Sequence, residues 1–201
     1  MLADDDPGWT IDPVAQAEAA CAGGAQVVQL RAKHATDRVA IGWGVAIRRM
    51  TREAGLTFIV NDRFDWALAC EADGVHLGQD DLPPSALPAF ARESLAVGRS
   101  THSAEQARAA CAEGVDYLAY GPLFETANKD TGYGARGLEA LTRIVEVAGG
   151  TPVVAIGGID PESAREAYAA GACGIAVIGA VAGASDPVEA TRSLTTSAEG
   201  R

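Results

Sequence analysis

A recurring pattern, in which an alanine-rich segment and a glycine precede a short apolar run, is the strongest constraint on the fold of this sequence. Four segments follow it at intervals of about 40 to 57 residues: AGGAQVVQLR, EADGVHLG, AEGVDYLAYG and AGACGIAVIG. Three further apolar runs, TFIVND, LAVGRST and PVVAIGG, lie between them. The pattern predicts seven clear strands, each followed by a helical segment.

Continuous apolar strands that alternate with helices are typical of a parallel sheet covered by helices. Helix starts are marked by an aspartate before a proline at Asp12-Pro13, Asp160-Pro161 and Asp186-Pro187, and by Ser103 with Gln106. Seven or eight such units close most naturally into a (β/α)₈ TIM barrel, an α/β fold, and we expect residues 1–201 to form one barrel domain. An open doubly wound sheet is the alternative.

The first strand of this barrel has few residues available to it, because only residues 1–3 precede an acidic run at residues 4–6. We therefore predict that the first strand is short or clipped. The pattern assigns the other seven strands to later apolar runs.

Composition limits the classes of partner. The formal net charge of -11 argues against nucleic acid and against an anionic membrane surface, since both require a basic face. No apolar run approaches the length of a membrane span, and the acidic first residues differ from a secretory signal. We therefore expect a cytoplasmic protein that binds small molecules, and the sequence leaves open whether it forms a homo-oligomer.

Two aspartates follow neighbouring predicted strands, at the point where each strand ends. Asp62 follows the run at residues 58–60, and Asp81 follows the run Gly74–Leu77, with a predicted helix between the two runs. The carboxyl ends of parallel strands meet at one edge of a sheet, so we expect these two carboxylates to converge. A proton or a metal must then offset their repulsion, and oxygen ligands favour Mg²⁺. The alternative is that both aspartates serve turns or helix caps.

Cationic and hydroxyl side chains follow other strands at the same edge. Gln29, Arg31 and Lys33 alternate, so all three can point the same way. Ser100 lies at the end of the fifth strand, and Lys129 lies in a long glycine-rich loop that is typical of a lid. Arginine, the chain's two lysines, a hydroxyl and a carboxylate-bound Mg²⁺ suit a multiply charged anion such as pyrophosphate.

A second anion site is predicted after the last two strands. Gly157 and Gly158 follow the seventh strand, and Gly179 follows the eighth. Many (β/α)₈ barrels hold a phosphate at these strand ends with backbone N–H groups. A glycine pair by itself is also typical of a tight turn.

His76 and His102 lie near strand ends and are candidate bases. We favour a structural interpretation, in which backbone groups satisfy both imidazoles, because a metal alone would explain the departure of a phosphate leaving group.

Six segments in order carry a resemblance to a known family: VQLRAK, IVNDRFDWALACEADGVHLGQDDLP, VGRSTHS, YGPLFETANKD, VVAIGGI and VIGA, within residues 28–180. Through them the chain resembles the thiamine phosphate synthases, (β/α)₈ transferases of thiamine biosynthesis. The resemblance implies a reaction that joins 4-amino-2-methyl-5-hydroxymethylpyrimidine pyrophosphate to thiazole phosphate. It also implies that Mg²⁺ assists the release of pyrophosphate.

The resemblance implies roles for individual residues. Asp62 and Asp81 correspond to the Mg²⁺ ligands, and Arg31, Lys33 and Lys129 to catalytic cations that stabilise the departing pyrophosphate. The implied substrate-binding residues are Gln29, Arg31, Lys33, Asn61, Ser100 and Lys129 for the pyrimidine pyrophosphate, and Thr126, Asn128, Gly158, Ile178 and Gly179 for the thiazole phosphate. The chain departs from the usual family pattern at Glu125, where proline is usual, and at Asn128, where threonine is usual.

Two alternative functions remain open at the level of sequence. The thiazole tautomerases share the fold and several of these segments, but their pattern usually lacks the second metal carboxylate, so Asp81 favours the synthase. A non-catalytic barrel that binds a phosphate ligand would keep Arg31 and Gly158 without turnover.

Overall fold

The computed structural model describes residues 1–125 and 134–199. Within them, eight parallel strands form one sheet whose spatial order is the order of the sequence. The strands are β1 (Leu2–Asp4), β2 (Val27–Arg31), β3 (Thr57–Asn61), β4 (Gly74–Leu77), β5 (Ala96–Thr101), β6 (Tyr117–Tyr120), β7 (Val153–Ile156) and β8 (Gly174–Ala176).

The sheet closes on itself. The backbone N–H of Leu2 in β1 donates to the carbonyl oxygen of Val177, directly after β8, at 2.9 Å. This bond joins the first and last strands, so the prediction of a (β/α)₈ barrel is confirmed. A doubly wound sheet would require its strand order to reverse at a switch point, and the observed order is sequential.

The first strand is short, as predicted, with three residues. It extends beyond the apolar residues into Asp4, which pairs in register with Arg31 of β2. Asp4 is only 2% exposed, so the acidic run that follows the first apolar residues contributes to the barrel itself.

Helices cover the outside of the barrel. Caps begin several of them as predicted: Asp12 accepts from the Ala15 N–H, and Asp160 forms a reciprocal capping box with Ser163. The described helices are α1 (Pro13–Ala22), α2 (Asp37–Ala54), α3 (Phe64–Ala69), α4 (Ala89–Ser94), α5 (Ala104–Ala112), α6 (Leu138–Ala148), α7 (Pro161–Ala169), α8 (Gly179–Ala182) and α9 (Pro187–Glu199). In the described part of the chain, none combines the length and apolar character required to cross a membrane.

Alternate residues of each strand have different environments. One set packs in the apolar core between the sheet and the helices: Val28, Leu30, Phe58, Val60, Val75, Leu77, Val97 and Leu118. The other set faces the interior of the barrel: Gln29, Ile59, Asn61, His76, Ser100, Tyr117 and Ala119. Because side chains alternate along a strand, the apolar runs supply the core while the residues between them line the interior.

Candidate active site

A cavity of about 680 Å³ occupies the interior of the barrel. Six of the predicted substrate-binding residues line it together: Gln29, Asn61, Ser100, Gly158, Ile178 and Gly179. They come from five different strands or strand ends, and barrel closure brings them to one cavity. The predicted cations and carboxylates lie at neighbouring strand ends: Arg31 is the last residue of β2, Lys33 and Asp62 come shortly after β2 and β3, and Asp81 comes in the loop after β4.

The backbone of Asp62 has an unusual conformation directly after β3. Its φ angle is 64°, in the left-handed region that aspartate tolerates better than most residues. Its N–H donates to the carbonyl oxygen of His76 in the neighbouring strand at 2.7 Å. Asp62 is therefore attached to the end of β3 through the chain and to β4 through this hydrogen bond.

The carboxyl groups of Asp62 and Asp81 converge, as the sequence predicted, and lie near enough to shift each other's pKa. Asp81 also accepts a hydrogen bond from the Gly78 N–H at 2.6 Å, which fixes the loop that carries it. The two carboxyl groups thus converge from neighbouring strand ends, although among the described residues no group of three or more metal-ligating side chains forms.

The two carboxyl groups have opposite pKa shifts. Burial and the neighbouring Asp81 raise the pKa of the Asp62 carboxyl, while the Lys33 ammonium group opposes part of this effect. Burial also disfavours the ionised form of Asp81. The contact with Asp62, the Gly78 N–H and the charges of Lys33 and Arg99 outweigh it, so the pKa of Asp81 is lowered. The Asp62 carboxyl therefore takes up a proton at a higher pH than the Asp81 carboxyl does.

The two predicted cations both contact carboxylates. The Lys33 ammonium group forms an ion pair with Asp62, and the side chain of Lys33 is 43% exposed. The Arg31 guanidinium forms an ion pair with the buried Asp4. Lys33 therefore lies directly beside the carboxylate pair. Arg31, at the end of β2, instead pairs with Asp4 of the adjacent strand β1.

The acidic run at the start of the chain is a functional element that the sequence analysis missed. Besides its pairing with Arg31, Asp4 accepts from the Trp9 indole N–H at 2.9 Å. Asp5 accepts from the backbone N–H groups of Lys33, His34 and Ala35 at 2.7, 2.9 and 2.8 Å. These contacts orient the loop that presents the cations. In the sequence, this role is indicated by the position of the acidic run directly after an apolar segment.

Gln29 and Ser100 present polar atoms inside the barrel. Gln29 is buried, and its Oε1 has no hydrogen-bond partner among the described residues, which is costly unless a ligand supplies one. The Ser100 hydroxyl lies 2.9 Å from Nε2 of His76. The backbone carbonyl oxygen of Ser100 accepts a hydrogen bond from the Gln79 side-chain amide at 2.5 Å.

The histidine interpretation is half confirmed. Nδ1 of His102 contacts the backbone carbonyl oxygen of Gly121 at 2.5 Å, as the structural interpretation expects. The His76 ring contacts two side-chain hydroxyl groups, those of Tyr117 and Ser100. His76 is thus part of the polar interior of the barrel.

The glycines after the last two strands line the same cavity. Gly158 has a φ angle of 67°, and a Cβ at this position would lie 2.5 Å from the carbonyl oxygen of Glu125. Only glycine allows the backbone to approach so closely. Ile178 and Gly179, at the start of α8, line the same cavity.

Three predicted residues, Thr126, Asn128 and Lys129, lie outside the described residues. Their predicted roles remain predictions. Glu125, the first of the two departures from the usual family pattern, is the last described residue before them.

The fold and the site together define a (β/α)₈ barrel that carries a carboxylate pair and cationic side chains at the carboxyl ends of its strands. Residues 2–181 match the family model described as thiamine monophosphate synthase. The chain belongs to this family.

Individual relatives agree with the family assignment. The chain is 48% identical over 176 residues to the thiamine-phosphate synthase of Moorella thermoacetica, covering 87% of this chain and 83% of that protein. It is 45% identical over 177 residues to that of Chloroflexus aurantiacus, covering 88% and 81%. The solved thiamine phosphate pyrophosphorylase from Pyrococcus furiosus superposes with a TM-score of 0.88 at 40% identity, covering 98% of this chain and 94% of that one.

These comparisons confirm the resemblance inferred from the six segments and the expectation of a transferase of thiamine biosynthesis. They do not favour the thiazole tautomerase or the non-catalytic barrel.

Proposed function

We propose that this barrel joins the methylene group of an aminopyrimidine pyrophosphate to the ring nitrogen of a thiazole phosphate, with release of pyrophosphate. The observation that carries the proposal is the convergence of the Asp62 and Asp81 carboxyl groups beside the Lys33 ammonium group, which pairs with Asp62. Two carboxyl groups that can bind a metal ion, together with an ammonium group at the same end of the barrel, suit a highly charged, metal-bound leaving group.

The carboxylate pair fits Mg²⁺ on the chemistry of its donors. Two carboxyl oxygens that converge from fixed strand ends repel each other unless a cation or proton lies between them. Mg²⁺ is commonly bound by one or two carboxylates, with water and phosphate oxygens completing its octahedron. Asp62 and Asp81 would hold the ion, and when bound its charge would offset that of the leaving pyrophosphate.

The pyrimidine would occupy the barrel interior. The unpartnered Oε1 of Gln29 is an acceptor that suits the exocyclic amino group of an aminopyrimidine. Asn61, at the end of β3, lines the same cavity and offers both a donor and an acceptor. Arg31, Lys33 and Ser100 would donate to the pyrophosphate, joined by Lys129 as the family resemblance implies.

The thiazole phosphate would bind at the opposite side of the cavity. Gly158 and the backbone around Ile178 and Gly179 line this side, where backbone N–H groups can hold a phosphomonoester. Thr126 and Asn128 are proposed to contact the same substrate on the basis of the family resemblance.

The reaction needs no protein nucleophile. The bond between the methylene carbon and the pyrophosphate oxygen breaks, and its electron pair leaves with the pyrophosphate. The lone pair of the thiazole nitrogen forms the new carbon–nitrogen bond, which leaves a positive charge on the thiazolium ring. The residues of the chain accelerate this step by positioning both substrates and by stabilising the developing negative charge.

Phosphorylated substrates carry charges that are costly to transfer into a membrane. This supports the further proposal that the enzyme works in the cytoplasm.

The proposal is tested by mixing both substrates with Mg²⁺ and measuring released pyrophosphate. Asp81→Ala should retain the fold, seen by circular dichroism, and should lose more than about 100-fold in Mg²⁺-dependent turnover, because a metal centre contributes several kcal/mol of charge stabilisation. The exposed neighbour Asp80 provides the matched control, and Asp80→Ala should turn over normally. Near-normal turnover in Asp81→Ala would remove the metal assignment.

A further inference from the structure

A set of polar side chains in one layer of the barrel interior links Ser100 to a tyrosine on the next strand. His76 of β4 and Tyr117 of β6 are both in register with Gly98 of β5, which lies between them. A Cβ on Gly98 would lie 2.1 Å from Cζ of Tyr117 and 2.5 Å from its hydroxyl oxygen. The glycine therefore leaves the space in which the two side chains meet across the intervening strand.

The contacts within this layer are short and partly buried. Nδ1 of His76 lies 3.0 Å from the Tyr117 hydroxyl, and Nε2 lies 2.9 Å from the Ser100 hydroxyl. The two rings stack, with centroids 5.4 Å apart, and His76 is only 6% exposed. We call Tyr117, His76 and Ser100 the hydroxyl relay.

A neutral imidazole has one donor and one acceptor nitrogen, so the relay has two possible directions. In the first, Tyr117 donates to Nδ1, Nε2–H donates to the Ser100 oxygen, and the Ser100 proton is left to face the cavity. In the second, Nδ1–H donates to the Tyr117 oxygen, and the Ser100 hydroxyl donates to Nε2. Only the first direction gives an anion in the cavity a donor.

The charge of the ligand distinguishes the two directions. In the second direction the Ser100 oxygen would turn only lone pairs toward the cavity, which repels an anion. Phosphate oxygens accept hydrogen bonds, so the charge of the ligand selects the direction that leaves the serine proton available.

We propose that Tyr117, acting through His76, is a positioning residue that directs the Ser100 hydroxyl proton toward the pyrophosphate group. The inference rests on the proposed function, because it takes Ser100 as a donor to this anion. Tyr117 itself does not touch the reacting atoms. Its effect should therefore depend entirely on the presence of the Ser100 hydroxyl.

The first test measures the tautomer of His76 by ¹⁵N NMR of the full chain with Mg²⁺ and inorganic pyrophosphate. The chain has three histidines, and the His76 signals are assigned by their loss in His76→Gln. We expect a protonated Nε2 and an acceptor Nδ1, and a shift toward a mixture of tautomers in Tyr117→Phe. A protonated Nδ1 in the pyrophosphate-bound protein would overturn the proposal.

The second test is a double-mutant cycle on the affinity for inorganic pyrophosphate with Mg²⁺, measured by calorimetry. Tyr117→Phe keeps the ring over Gly98 and should weaken binding roughly five- to tenfold, the range of one neutral hydrogen bond. In a Ser100→Ala background, the same change should have no further effect. Tyr120→Phe is the matched control, since Tyr120 lies on the same strand but packs in the core facing the helices, and it should bind normally.

The outcomes separate the two proposals. Additive losses in the double variant would show that Tyr117 acts on the structure alone, which overturns the relay but leaves Ser100 as an anion ligand. Unchanged affinity in Ser100→Ala would remove Ser100 from the proposed active site, and the relay with it. A loss in Tyr117→Phe that disappears without the serine hydroxyl supports the relay.

Discussion

At the scale of single residues, hydrogen bonds to acidic side chains hold the site in place. Asp4 and Asp5 lie next to each other but act on different parts of β2 and its loop. Asp4 contacts the Arg31 side chain, and Asp5 accepts from three successive backbone N–H groups that begin at Lys33. Both cations of the described site therefore depend on carboxylates from the start of the chain.

Asp4→Asn should destabilise the barrel. The change removes the charge that pairs with Arg31 in a largely buried position, so we expect the free energy of unfolding to fall by roughly 2–3 kcal/mol. Urea unfolding followed by tryptophan fluorescence measures this, because the Trp9 indole donates to the same carboxylate. Asp6→Asn is the control at an exposed position and should change stability by less than about 0.5 kcal/mol. Equal stability of the two variants would contradict the structural role of Asp4.

At the scale of elements, local capping determines where several helices begin. The α7 cap is the most complete, since the Asp160 carboxylate accepts from the N–H groups of Glu162 and Ser163, and the Ser163 hydroxyl accepts from the Asp160 N–H. The α5 cap, which the sequence marks by Ser103 with Gln106, is not a reciprocal capping box. Ser103 accepts from the Gln106 N–H, but the Gln106 side chain accepts from the N–H of His102, one residue before the cap.

Asp160→Ala should cost about 1 kcal/mol of stability at pH 7. Hydrogen bonds from the Ser163 N–H and hydroxyl lower the pKa of the Asp160 carboxyl below its ordinary value of 3.8 in the folded state. The stabilisation is therefore present above pH 3.8 and is lost as the pH falls through the lower folded-state pKa. Urea unfolding of wild type and variant at pH 7 and at pH 2.5 checks this.

The difference in stability caused by Asp160→Ala should shrink at the lower pH. Glu166→Ala, at an exposed position later in the same helix, should show little pH-dependent difference. A penalty for Asp160→Ala that is the same at both pH values would show that the cap does not depend on the carboxylate charge.

At the scale of the whole molecule, barrel closure assembles the site. The bond between Leu2 and Val177 brings the first strand beside the last, and the cavity then collects residues from strand ends spread over the chain. A ligand that bridges these ends should stabilise the folded barrel, because it binds the assembled site and not the unfolded chain.

Inorganic pyrophosphate together with Mg²⁺ should raise the melting temperature of the protein. At about 100 times its dissociation constant, a ligand adds ~2.7 kcal/mol of stability, which corresponds to roughly 5–10 °C for a chain of this size. Scanning calorimetry should show a much smaller shift with either component alone. In Asp81→Asn the added effect of Mg²⁺ should disappear, and a full shift in that variant would contradict the metal assignment.

Much of the fold could be predicted because its signals are local. Apolar runs bounded by glycine predicted the strands, Asp12 and Asp160 before proline predicted helix starts, and the order of the units predicted the barrel. The convergence of Asp62 and Asp81 was also predictable, since parallel strands joined by a helix end at one edge of the sheet.

What only the tertiary structure decided is which side chains meet. Asp4 and Arg31 are 27 positions apart, and His76 and Tyr117 are 41 positions apart. Neither pair leaves a local pattern, because strand register and barrel closure, not spacing along the chain, bring them into contact. The sequence by itself therefore determined the elements, their order and the residues at each strand end. The closed sheet decided the partners of those residues, because long-range contacts form only when the strands align.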